Sequence, residues 1–138
     1  MVLPRVNRLR RRQEFKDVYQ SGRRRTGHQM TVRAHRQYGR ASDTPRRPAL
    51  ALEDRPATRI GISISQKVSK KAVVRNRIKR QIKAALRQLL PRILPGWLVV
   101  VVVRPDACKC DYVEILRELE QLLAEAEVLD GHSRGNLL

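Results

Sequence analysis

The chain predicts an α+β fold: one domain over residues 1–128, in which two or three helices pack against one sheet. Three observations carry this. Arg59-Ile60-Gly61-Ile62-Ser63-Ile64-Ser65 alternates apolar and small residues with the period of two that a half-buried strand requires. Val74, Ile78, Ile82, Leu86 and Leu89 or Leu90 then recur at helical spacing, so a long helix from about Lys70 to Leu90 presents one apolar stripe. Trp97 to Arg104 follows as a continuous, largely β-branched run, the pattern of a central strand covered on both faces. A chain of 138 residues has room for one such core and not for two.

The remaining elements fall in place around these. Residues 1–12 read as extended and basic, and Phe15, Val18 and Tyr19 then take helical i, i+3, i+4 spacing in a first helix that Ser21-Gly22 ends. From His28 to Arg36 apolar and polar residues loosely alternate, as in a half-exposed strand. Residues 37–58 are rich in Gly, Ser, Asp, Arg and Pro and predict a surface insertion loop, within which only Ala49 to Leu52 has strand character. Pro91 and Pro95-Gly96 close the long helix, and Pro105 and Asp106 stop the apolar strand. A last helix from about Asp111 to Val128 buries Val113, Leu116, Leu119, Leu122, Leu123 and Ala126 and turns Glu114, Glu118, Glu120, Glu125 and Glu127 outward. Residues 129–138 are expected to be a frayed tail.

Thirty Lys and Arg against thirteen Asp and Glu leave a net charge of +17, which calls for a polyanionic partner. With the acids gathered on the last helix, the long-helix face is more basic still. The longest apolar run, Trp97 to Val103, is far too short to span a bilayer, and no secretory signal pattern opens the chain, so a cytoplasmic protein without a membrane partner is expected. Cys108 and Cys110 form a lone C-x-C pair with no companion set for zinc, and are read as free thiols. His28, His35 and His132 show no ligand spacing. Asp17, Asp43, Asp54, Asp106 and Asp111 are dispersed, whereas a two-metal nuclease clusters its carboxylates, so no catalytic residue and no protein-held metal is expected in this chain.

Between Lys67 and Lys83 no acid occurs. With the apolar stripe turned inward, the 100° helical step sets Arg75, Lys79 and Lys83 on one flank and Asn76 and Arg80 beside them. Lys67, Lys70 and Lys71 extend this ridge at the helix start, where backbone N–H groups also favour phosphate. Helices stabilised by their own charges mix signs at i, i+4, and this one does not. Asn76 adds a group that both donates and accepts, suited to a ribose 2′-hydroxyl or a base edge.

The run Ala72-Val73-Val74-Arg75-Asn76-Arg77-Ile78-Lys79-Arg80, preceded by Gly61-Ile-Ser63-Ile-Ser65 and Lys67, closely resembles the "RNR" signature of the bacterial ribonuclease P protein subunit family. Asn7-Arg8-Leu9-Arg10 through Glu14-Phe15, Val18-Tyr19 and Gly22 resembles the same family's opening helix. The resemblance implies a single-domain α/β sandwich, a sheet of about four strands with three helices, whose strand–helix–strand crossover has the uncommon left hand. It also implies an RNA-binding subunit that assists a catalytic RNA in removing the 5′ leader from precursor tRNA, with Mg²⁺ held mainly by the RNA and no small-molecule substrate. Carried over by position, Arg75, Asn76, Arg77, Lys79, Arg80 and Lys83, together with Lys67, Lys70 and Lys71, would bind the RNA subunit. Phe15, Tyr19 and Arg33 would line the leader cleft. Two positions depart from the pattern: Arg33 stands where some members have an aromatic, and Lys83 where arginine is usual. The competing reading from charge and size is a small basic ribosomal protein.

Overall fold

The computed structural model describes residues 4–36 and 56–129. Helix α1 (Arg12–Ser21) is followed by β1 (Arg23–Thr26), β2 (Met30–Arg36), β3 (Arg59–Ser63), α2 (Ala72–Leu89), β4 (Trp97–Val103) and α3 (Tyr112–Glu125). The strands form one mixed sheet in the order β1-β2-β4-β3, antiparallel except for the β3–β4 pair. Parallel neighbours need a crossover, and α2 supplies it. The predicted first strand is thus a hairpin, whose first arm β1 the sequence pattern did not reveal. The strand considered at Ala49 to Leu52 lies outside the described residues, as do Asp43, Asp54 and His132.

Strand β4 explains its own unbroken apolar run. Trp97, Val99, Val101 and Val103 enter the main core with Met30, Val32, Ala34 and Ile60, under α2 and α3. Leu98 and Val100 enter a second, smaller core with Leu9 and Val18, against which Phe15 and Val102 pack. Successive strand residues point to opposite faces, so α1 covers one side of the sheet and α2 with α3 the other.

Three corrections concern the edges of elements. Val113, expected in the core, is exposed; Ile115 takes its place, because α3 meets the sheet along Ile115, Leu119, Leu122 and Leu123. Leu129 is buried and bridged to Ile93, so the folded chain runs past the expected end at Val128. Thr58, placed by sequence in the loop, is buried; its Oγ1 donates to the Leu94 carbonyl (2.6 Å) and accepts from the Trp97 N–H (3.0 Å).

The N-terminal segment, after a short 3-10 turn at Arg5–Asn7, lies along the free edge of β3. Leu9 N–H donates to the Ile60 carbonyl (3.1 Å) and Asn7 Nδ2 to that of Thr58 (2.8 Å). Helix α1 is held close by Gly61: a Cβ there would stand 2.6 Å from Phe15 Cζ and 3.2 Å from Leu9 Cβ. Gly61→Val is therefore expected to lift α1 from the sheet and cost about 1–3 kcal/mol, several degrees of melting temperature. A double-mutant cycle with Phe15→Leu checks the cause. Strict additivity would place the damage elsewhere.

Candidate nucleic-acid interface

Helix α2 buries Ile78, Ile82, Ala85, Leu86 and Leu89, with Val74 half-buried, and this sets the direction of every other side chain on it. Asn76 and Arg80 project into solvent, while Lys79 and Lys83 lie half-buried on the flank toward β3. Together with Val73, which is 78% exposed, these four line a shallow groove along the outer face of α2. Arg75 folds back, its Nη1 donating to the Ser69 carbonyl (2.8 Å), so part of its capacity fixes the helix entrance. Arg77 projects on the opposite flank, where Nη2 donates to the Cys108 carbonyl (3.2 Å). The ridge expected from the sequence at Asn76, Lys79, Arg80 and Lys83 thus stands along one groove, and Arg77 lies apart from it. Lys67, Lys70 and Lys71 are exposed at the start of α2, whose first turn holds no acid and no side-chain cap.

Lys79 and Lys83 also line a second groove of about 250 Å³, against Arg8 and Arg10 of the N-terminal segment and the backbone of Ile60 to Ile62. Sequence reasoning missed these two arginines as partners of the ridge. Their separation from α2 along the chain gives no spacing signal; only the pairing of Leu9 with Ile60 brings them there.

On the other side of the sheet, α1 presents three side chains of differing depth. Val18 is fully buried and Phe15 half-buried over Gly61, whereas Tyr19 is 41% exposed at the rim. The Arg33 guanidinium stacks on Tyr19, 4.9 Å from the ring centroid. Phe15, Tyr19 and Arg33 thus lie along one α1–sheet boundary, and Arg59 seals its far end through an ion pair with Glu14 (2.6 Å).

Of the acidic face expected on α3, Glu114, Glu125 and Glu127 are exposed, whereas Glu118 and Glu120 are drawn into contacts with the rest of the fold. Glu118 turns in to the β1–β2 turn, where its carboxylate accepts from the backbone N–H groups of His28 (3.0 Å), Gln29 (2.6 Å) and Met30 (3.0 Å). Gly27 belongs to that contact, since a Cβ there would stand 2.6 Å from the carboxylate carbon. Glu120 pairs with Arg92, Glu127 with Arg23 (3.7 Å) and Arg36 (3.5 Å), and Glu114 completes a capping box with Asp111. Pairing Glu120 and Glu127 with arginines outside α2 leaves the cations of α2 without an acid partner in these ion pairs.

No three His, Cys, Asp or Glu side chains converge among the described residues. Burial and then the carboxylates of Glu114, Glu118, Asp106 and Asp111 push the Cys110 thiol above its ordinary value, which leaves little thiolate at neutral pH. Cys108 Sγ donates to the Val68 carbonyl (3.0 Å), and both cysteines are free thiols. No helix among the described residues is long and apolar enough to cross a membrane.

Comparison with known proteins bears on the whole of this arrangement. A family model described as Ribonuclease P matches residues 3–127. The "Ribonuclease P protein component" of a Cyanothece species is 53% identical over 133 residues, covering 95% of this chain and all of the relative. The same component of Trichormus variabilis is 52% identical over 140 residues, covering 96% and 100%. Among solved structures, an RNase P protein from Staphylococcus aureus superposes with a TM-score of 0.70 at 26% identity, covering 90% of this chain and 98% of the other.

Proposed function

This chain belongs to the bacterial ribonuclease P protein family and is a component of that endoribonuclease, and on that premise we propose that it binds two RNAs on two surfaces. The α2 ridge, with Asn76, Lys79, Arg80 and Lys83 at its centre and Lys67, Lys70 and Lys71 at its start, holds the catalytic RNA. Arg75 and Arg77 contribute with the donors left after their bonds to Ser69 and Cys108. The α1–sheet boundary, with Tyr19 at the rim, receives the single-stranded 5′ leader of precursor tRNA. Mg²⁺ and the hydrolysis belong to the RNA; among the described residues Glu14, Glu118, Glu120 and Glu127 are engaged with the chain's own N–H and guanidinium groups.

The observation that carries the second surface is the exposure of Tyr19 beside the fully buried Val18. A core-only tyrosine would be covered, whereas a ring with an open face can stack any base, as an unpaired leader of variable sequence requires. Phe15 lies deeper, and its ring serves the α1–Gly61 contact as well as the floor of the boundary.

The test is reconstitution of the protein with a bacterial ribonuclease P RNA at low Mg²⁺. The wild-type chain is expected to restore precursor cleavage and to do nothing without the RNA. Stacking contributes about 1–3 kcal/mol per base, so Tyr19→Ala is expected to weaken precursor binding roughly five-fold or more with mature tRNA unaffected. Equal losses for both RNAs, with a lower melting temperature, would refute the leader role.

A further inference from the structure

Directly opposite Arg33 in the β1–β2 pair stands Arg24. Residues opposed in an antiparallel pair share one face of the sheet. Val32 and Ala34 of β2 lie in the main core, so their partners Arg25 and Arg23 belong to the α2–α3 side, and Arg23 meets Glu127 there. Arg24 and Arg33 therefore share the α1 side, where Arg33 stacks on Tyr19.

Like charges set opposite one another destabilise a strand pair. No carboxylate of the described residues relieves this one: the ion pairs there engage Arg23, Arg36, Arg59 and Arg92. The two acids of α1 are otherwise occupied, Glu14 with Arg59 and Asp17 as acceptor from Gln13 Nε2 (2.9 Å). An exposed arginine on the edge strand β1, opposite an arginine that stacks on a half-open aromatic ring, presents the complement of a nucleotide. The flat Arg33 group already closes one face of Tyr19 and leaves the other for a base, while its N–H donors remain directed within its own plane.

We propose that Arg24 and Arg33 form a phosphate clamp at the β1 edge of the Tyr19 platform, and that its ligand is a phosphodiester of the single-stranded 5′ leader. Side chains of such a pair start about 4.5–5.5 Å apart, so both forks reach a single phosphate. This rests on the leader-binding reading of Tyr19 and adds a residue, Arg24, and a salt dependence to it. Leader recognition in this chain then combines one stacked base with one electrostatic contact, where an aromatic at position 33 would supply a second stack.

The experiment measures binding of the reconstituted holoenzyme to precursor and mature tRNA across a salt series, for the parent, Arg24→Ala, Arg24→Lys and Tyr19→Ala chains. One lost contact to a single strand shallows the salt slope by about 0.7 and weakens precursor binding about five-fold near ~0.1 M salt. Arg24→Ala is expected to show both, with mature tRNA unchanged, and Arg24→Lys to keep most of the slope. The free protein's melting temperature is expected to hold or rise, since a like-charge pair is removed. If Arg24→Ala leaves precursor affinity and slope unchanged while Tyr19→Ala lowers selectivity, the clamp is refuted and the platform stands. If neither variant alters selectivity, both readings fall. Parallel losses for precursor and mature tRNA would assign Arg24 to the catalytic RNA and overturn the leader clamp.

Discussion

A chain carrying Asn76→Ala, Arg80→Ala and Lys83→Ala together is expected to bind a bacterial ribonuclease P RNA about fifty-fold or more weakly than the parent at ~0.1 M salt. The estimate follows from counterion release: each cation lost from a duplex-like phosphate contact removes about 0.9 from the salt slope, close to an eight-fold loss at that salt. Two cations multiply to the figure given, and loss of the Asn76 amide adds to it. Asn76 and Arg80 are exposed and Lys83 only half-buried at a groove, so folding is expected to survive. Binding titrations across salt, alongside thermal melts, decide the matter. Unchanged affinity and slope in a folded variant would mean that the outer face of α2 is merely solvated. A lower affinity with an unchanged slope would point to a lost shape contact and not to phosphate.

Glu118→Ala is expected to be the most damaging single change away from the apolar core. Its carboxylate gathers three backbone donors at the β1–β2 turn, two of them on the buried residues Gln29 and Met30. Hydrogen bonds to a charged acceptor are worth about 1.5–3 kcal/mol each, and buried amides left without a partner lose most of that. A total near 3 kcal/mol lowers the melting temperature of a domain this size by roughly 10 °C. Glu118→Gln retains an acceptor oxygen without the charge and is expected to fall between the two. A shift of a degree or less for the alanine variant would show that water replaces the carboxylate at no loss. Since the turn joins the two strands that carry Arg24 and Arg33, leader selectivity is expected to weaken before α2 loses its grip on the catalytic RNA.

Much of this protein is written in short-range pattern. The stripe at Ile78, Ile82 and Leu86 determines both where α2 runs and which of its residues face out, because 3.6 residues per turn link burial on one side to exposure on the other. For the same reason the placement of Asn76 and Arg80 was legible before any fold was known. The unbroken run at Trp97 to Val103 likewise announced a strand with two covered faces, and the RNR run together with the opening helix pointed to the family that the comparisons confirm.

Pattern failed where a residue's role depends on a partner far along the chain. Strand β1 is three arginines and a threonine, with no apolar alternation to read; it is a strand because β2 offers it a ladder. Glu118 and Glu120 sit at positions that helical periodicity assigns to solvent, yet the β1–β2 turn and Arg92 draw them into the structure. Val113 fails in the opposite sense, apolar but unopposed.

The sequence by itself thus determined the three helices, the strands β2, β3 and β4, the α2 ridge, the excess of positive charge and the family, because each rests on composition, local periodicity or a contiguous motif. Only the tertiary structure decided which cations stand together. Arg8 and Arg10 reach Lys79 and Lys83 through the pairing of the N-terminal segment with β3, and strand register sets Arg24 opposite Arg33, which stacks on Tyr19. Charge acts through space, and the folded backbone sets those distances across separations that no sequence window spans.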